Sequence, residues 1–175
     1  MSVSFIVLYI TTVFVASIIP GPSMLLALTH GMQYGTRKTL ASAMGNVGVT
    51  FLQALVSVAG LGTVLMASET VFYAIKWAGA AYLVYMGITL WMVPSLVAAP
   101  GRVERDKKQI TKRKMAFQAA MVTAGNPKAI VFFTAVFPQF IHPGSAYLIQ
   151  SAILLSLGCL IAFICFMIYA SAGQT

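Results

Sequence analysis

Residues 115–141 read MAFQAAMVTAGNPKAIVFFTAVFPQFI, an apolar run with Asn126-Pro127-Lys128 near its centre. A helix that spans a bilayer needs about 20 apolar residues, and this run is long enough. Yet proline removes a backbone hydrogen bond and clashes with the preceding turn. An ammonium near the bilayer midplane costs about 2.5 kcal/mol or more, and such a residue faces the protein interior or a water-filled cavity. Either the run does not cross a membrane, or its midpoint is a working site.

Composition decides for the membrane. Of 175 residues, 59% are hydrophobic and 8% charged, against about 25% charged in soluble domains. Five runs reach spanning length: Val3–Leu28, Leu40–Met66, Val71–Val93, Met115–Ile141 and Ala146–Ala170. They are too long for barrel strands and do not alternate. Their backbone groups must therefore be satisfied inside helices. The expected fold is all-α, a polytopic transmembrane helical bundle of five helices in one transporter domain. Its first half is 1–93, a basic loop covers 94–114, and its second half is 115–175. The first run has no basic n-region and exceeds the length of a signal-peptide core, so it reads as a retained helix.

The net charge of +8 is concentrated, with seven of eleven basic residues between Arg102 and Lys114 and two more at Arg37-Lys38. Short basic loops between apolar runs follow the positive-inside rule. Loops 34–39 and 94–114 are then cytoplasmic, 67–70 and 142–145 face out, and the N-terminus lies outside. No basic and aromatic groove pattern appears, which argues against nucleic acid as a partner. Membrane lipid is a partner by construction, and the basic loop contacts anionic head groups as a secondary role. The sequence has no Ser/His/Asp set, no pocketed carboxylate pair, no metal-ligand cluster and no phosphate loop. That argues against an enzyme, against a cofactor or metal site, and against ATP-driven transport. Cys159 and Cys165, six apart in one run, point to different helix faces and read as small buried apolar residues.

The fourth run has a counterpart. Pro20-Gly21-Pro22 interrupts the stretch from about Ser4 to Tyr34. At 1.5 Å per residue, Pro20 lies roughly 24 Å along it, and Pro127 roughly 20 Å past Lys114. Both breaks therefore sit near mid-depth, each in the first helix of its half. Halves of three helices each would run inverted to one another. Interrupted helices at matching positions of two inverted halves are the best sequence pointer to a transporter's binding site.

All three acids, Glu69, Glu104 and Asp106, fall in loops. Lys128 thus lacks a carboxylate partner within the membrane. It is too deep to snorkel. It either sheds its proton, since burial disfavours the charged form, or meets a partner that arrives, such as a substrate carboxylate. Asn126 as N-cap and Pro127 at the first position open a new helix, whose start favours anions. The expected site is Pro20, Gly21, Pro22, Asn126, Pro127 and Lys128, taking the α-carboxylate of an amino acid. Asn46 and Gln53 join it from the second helix, where Asn46, Thr50, Gln53, Ser57 and Gly60 share one face. Gly79, Leu83 and Gly87 in the third helix, and Ser151, Leu155, Gly158 and Ala162 in the fifth, form small close-packing faces. Lys76 and Trp77 read as interface anchors. His30 and His142 are expected at helix ends near the surface.

With Pro20-Gly21-Pro22, Lys76-Trp77-Ala78-Gly79-Ala80-Ala81-Tyr82-Leu83, and Asn126-Pro127-Lys128-Ala129 followed by Phe137-Pro138-Gln139-Phe140, the chain resembles the LysE/RhtB amino-acid exporter superfamily. The homoserine/homoserine-lactone/threonine efflux branch is the nearest in pattern. The resemblance implies a multi-pass carrier of the bacterial inner membrane that expels small amino acids or derivatives. It also implies protons as the coupled partner and a homodimer as the assembly. That family has six helices, whereas this chain stops at Thr175, just after the fifth run, so the second half is expected to be incomplete. Many members also carry an acid in the fifth helix. This chain has none there, and Ala162 stands close to its place. Two rival readings remain: a passive channel for small solutes, and a non-transporting remnant or subunit.

Overall fold

The computed structural model describes residues 2–67, nine scattered positions between 70 and 88, 110–142 and 146–174. Most of the third run, Glu69 and most of the basic loop fall outside the described residues.

Helix α1, Val3–Ile18, begins where Ser2 accepts the Phe5 N–H on its side chain. It stops because Pro20 has no N–H to continue the ladder and drives Ile19 to extended backbone, ψ 127°. Gly21, also extended, precedes Pro22 at the first position of α2, Pro22–Tyr34. The two helices meet at 63°. Helix α3, Thr36–Ala67, is 32 residues long. Helix α4, Lys112–Ala124, is capped by Thr111. Gly125 and Asn126 break it, α5, Pro127–Val131, follows with Asn126 as its cap, and the stretch Pro127–Phe140 leaves at 57° to α4. Beyond α5 the chain loosens into a π turn at Phe132–Val136 and tightens into a 3-10 turn at Phe137–Phe140. Pro138 explains the change, because it cannot donate and its ring crowds the carbonyl four residues back. Helix α6, Tyr147–Gln174, is more apolar than α3.

The described residues are helical throughout, as an all-α membrane bundle requires. Helices α3 and α6 are each long and apolar enough to span, and two bent pairs, α1 with α2 and α4 with Pro127–Phe140, are together long and apolar enough for a broken span or a re-entrant loop. Two boundaries differ from expectation. Residues 34–39 are not a loop, since Gly35 alone, at φ 77°, separates α2 from α3. Arg37 and Lys38 lie in the first turn of α3 instead. The Thr36 N–H donates to Gln174 Oε1 at 2.8 Å, a cap supplied by α6 that local sequence does not reveal. Likewise Lys112, Arg113 and Lys114 belong to α4 rather than to the basic loop.

Hydrogen bonds set the relative directions. Tyr9 Oη donates to Leu154 O and Tyr169 Oη to Ile18 O, so α1 runs parallel to α6. Tyr147 Oη donates to Val58 O while Gln174 holds Thr36, so α3 runs antiparallel to α6. Gly45 lies against Ala116 and Gln53 against Thr123, so α3 and α4 are parallel and their basic starts share one end of the bundle. Backbone meets backbone at glycines: Gly31 on Ala170, Gly173 on Leu28 and Gly45 on Ala116. Small residues permit that approach, which drives helix association in lipid. Ser151, Leu155, Gly158 and Ala162 are all buried, as their shared face predicts. Phe5, Tyr9, Phe133, Phe137 and Phe140 form an edge-to-face aromatic cluster between α1 and the end of the broken span.

Candidate functional site

The two helix breaks face each other. Lys128 Nζ donates to Ile19 O at 2.7 Å, the carbonyl that the first break leaves without a helical partner. Lys128 is only 8% exposed. Its partner was missing from the sequence-based alternatives, which weighed side chains and ligands but not a carbonyl freed by the opposite break. One N–H of the ammonium is thereby satisfied, and among the described residues no acceptor takes the other two. Gly21 makes room for the side chain: a Cβ there would stand 3.4 Å from Lys128 Cε and 3.5 Å from Nζ.

A relay of polar groups runs from the second break to α3. Asn126 Nδ2 donates to Ser23 Oγ at 3.1 Å. Ser23 Oγ lies 3.3 Å from Thr123 Oγ1, and Thr123 Oγ1 lies 2.8 Å from Asn46 Oδ1. Ser23 can donate to Thr123, whose single proton has two acceptors in reach, Asn46 Oδ1 and, at 2.7 Å, Ala119 O. Among the described residues no acceptor takes the Asn46 amide nitrogen. Asn126 Oδ1 accepts the Lys128 N–H at 3.1 Å, so the start of α5 is already capped by its own asparagine. The sequence-based expectation of free N–H donors there is reduced accordingly. What remains as an anion donor is the ammonium.

These groups line a cavity of about 450 Å³, within the range of small-molecule sites. Lys128, Asn126, Asn46, Thr50, Ser23 and Ser17 give it polar points. Val13, Met24, Phe132, Phe133 and Ala162 give it apolar walls. Ala162 is 15 residues past Tyr147 on a 28-residue helix, so the cavity sits near mid-span. All three acids of the chain lie outside the described residues.

Asn126, Lys128 and Asn46 of the expected set line the cavity directly. Pro20, Gly21, Pro22 and Pro127 shape it without lining it. Gln53 does neither: Nε2 donates to Thr123 O at 3.4 Å, and its buried Oε1, like the buried Ser57 Oγ and Ser151 Oγ, has no partner. Ser23 and Thr123 went unnoticed in the sequence, although both are hydroxyls placed beside a helix break. His30 is not at the surface but buried, with Nδ1 2.7 Å from Ser42 Oγ. His142 is exposed, beside Gln150 and Phe5. Cys165 is buried and Cys159 partly so, both as free thiols.

Comparison with known proteins agrees with this architecture. The family model described as LysE type translocator matches residues 14–174. A homoserine/homoserine lactone efflux protein of Salmonella typhimurium is 38% identical over 149 residues, covering 83% of this chain and 69% of its own. An uncharacterized membrane protein of Vibrio cholerae is 35% identical over 136 residues, 77% of this chain and 64% of its own. A leucine efflux protein of Enterobacter sp. (strain 638) is 30% identical over 155 residues, 83% of this chain and 70% of its own. The chain thus spans about two thirds of the length of these relatives. No solved structure matches. Because the family match runs through both broken spans and on to the last turn of α6, the protein belongs to the LysE type translocators.

Proposed function

We propose that the chain exports small amino acids or their derivatives, of the threonine, homoserine or homoserine lactone class, and binds them in the cavity between the two breaks. One observation carries the reading. The cavity offers an ammonium with two unused N–H groups, an unused amide nitrogen on Asn46 and several hydroxyls, and no carboxylate of the described residues balances them. Such a site is complementary to an anionic or strongly accepting group. Lys128 would take the α-carboxylate while Asn46 and Thr50 orient the substrate. The apolar walls from Met24 to Phe133 would set the size of side chain admitted. The name of the Salmonella relative supports efflux of this substrate class, and that of the Enterobacter relative supports amino-acid efflux more broadly.

Alternating access then follows from the breaks. Each bent pair can rock about its own hinge while the Lys128–Ile19 bond forms or parts, so substrate competes with a backbone carbonyl for the same ammonium. The proposed driving force is the proton gradient, as the family resemblance implies. The proposed setting is the inner membrane, with the basic starts of α3 and α4 on the cytoplasmic side.

The test is growth rescue of a bacterial host stripped of its own exporters, challenged with threonine, homoserine, homoserine lactone and leucine. Rescue by at least one of the first three, lost when the proton gradient is collapsed, supports the reading. Equal rescue with the gradient collapsed, or solute leakage without counterflow in liposomes, would favour a channel and sink it.

A further inference from the structure

A second concavity lies at the end of the bundle where α3 and α4 both begin. Its floor is the close contact of Gly45 with Ala116, and it stays open because a Cβ at Gly48 would meet nothing within 4 Å. Its walls include Met44 and Phe117, which are 63% and 62% exposed. Arg113 and Lys114 stand at its mouth. An exposed apolar trough capped by two cations matches the two halves of a phospholipid, an acyl chain and an anionic head group.

Charge decides among possible occupants. Lys112, Arg113 and Lys114 open α4, Arg37 and Lys38 open α3, and the first turn of each helix holds no acid. Among the described residues these five cations have no ion-pair partner. A second copy of this helix pair would bring like charge to the same place, whereas an anionic lipid neutralises it. Basic pockets between transmembrane helices are known to select anionic head groups.

We infer that the α3–α4 trough is a specific site for an anionic phospholipid, its head group on Arg113 and Lys114 and one acyl chain along Gly48 between Met44 and Phe117. The site is separate from the substrate cavity and does not depend on its reading.

Native mass spectrometry of the full chain, with dioleoyl phosphatidylglycerol or dioleoyl phosphatidylcholine added in detergent, tests this. Retained phosphatidylglycerol should exceed phosphatidylcholine by at least about tenfold. The double variant R113Q/K114Q should weaken phosphatidylglycerol about thirtyfold, taking about 1 kcal/mol per basic residue at a membrane surface and 1.4 kcal/mol per tenfold. Gly48→Leu fills the trough without touching charge or backbone and should weaken it comparably. Equal retention of both lipids would overturn the proposal, as would unchanged binding in R113Q/K114Q. Loss in R113Q/K114Q with full binding in Gly48→Leu, together with competition by inorganic phosphate, would mean a head-group contact alone and would also overturn it. So would a dimer, independent of lipid, that Gly48→Leu dissociates.

Discussion

Replacing Lys128 by methionine removes the cavity's cation while keeping a side chain of similar length. Two energies change. Ile19 O loses its 2.7 Å donor, and an unsatisfied buried carbonyl costs about 1–3 kcal/mol. Against that, the ammonium no longer has to be buried, and buried charges are themselves costly. Stability should therefore move by no more than about 2 kcal/mol, the scale of one such group. Binding is different. Removing one partner of a buried, hydrogen-bonded charge pair costs about 2–5 kcal/mol. At about 3 kcal/mol, affinity for homoserine or threonine falls a little over a hundredfold. Homoserine lactone has no carboxylate, so it offers Lys128 only a neutral acceptor, worth about 0.5–1.5 kcal/mol. Its affinity should fall by about tenfold or less. The ratio between the two ligands, read by calorimetric titration of the full chain in nanodiscs, is therefore the informative quantity. It should shift by at least about tenfold towards the lactone, the difference between those two costs. Equal weakening of both ligands, or none, would refute the assignment of Lys128 to the carboxylate.

Other consequences follow from contacts around the same frame. Gly21→Leu puts a branched side chain where Lys128 Cε and Nζ stand within 3.5 Å of the Cβ position; transport should fall more than about tenfold, the scale of a misplaced binding group, while the melting temperature changes little. Gly45→Ala drives a methyl into the Ala116 carbonyl whereas Gly48→Ala meets open space, so only the first should lower thermal stability, by about 1–3 kcal/mol. Thr123→Val cuts the relay between Ser23 and Asn46 and should cost about 1–3 kcal/mol in unfolding measurements; no change would show the relay is dispensable. Ser57 and Ser151 carry buried hydroxyls without partners, and groups of that kind ask for an occupant. If they face a route that hydrates during transport, cysteines placed there in a cysteine-free background should react with a charged thiol reagent faster with substrate than without.

The basic residues show how far sequence reading reaches and where it stops. Arg37-Lys38 and Lys112-Arg113-Lys114 were legible as charges lying at one end of the apolar runs, because charge and hydropathy act residue by residue. The helix starts that carry them were not legible. Gln174 caps α3 from 138 positions away, and no local pattern encodes that. His30 was misplaced for a related reason, since its burial depends on Ser42 and on α6 packed over Gly31.

The sequence by itself determined that the chain is a helical membrane bundle with two broken spans, and that Lys128 could find no acid. Hydrophobic length, proline chemistry and a count of three carboxylates suffice for this. Only the tertiary structure decided what the breaks do for each other. Ile19 O and Lys128 Nζ are 109 residues apart in the chain. Whether a carbonyl freed at one break meets an ammonium stranded at the other depends on how α1 and α5 pack, and packing is a property of surfaces rather than of either segment.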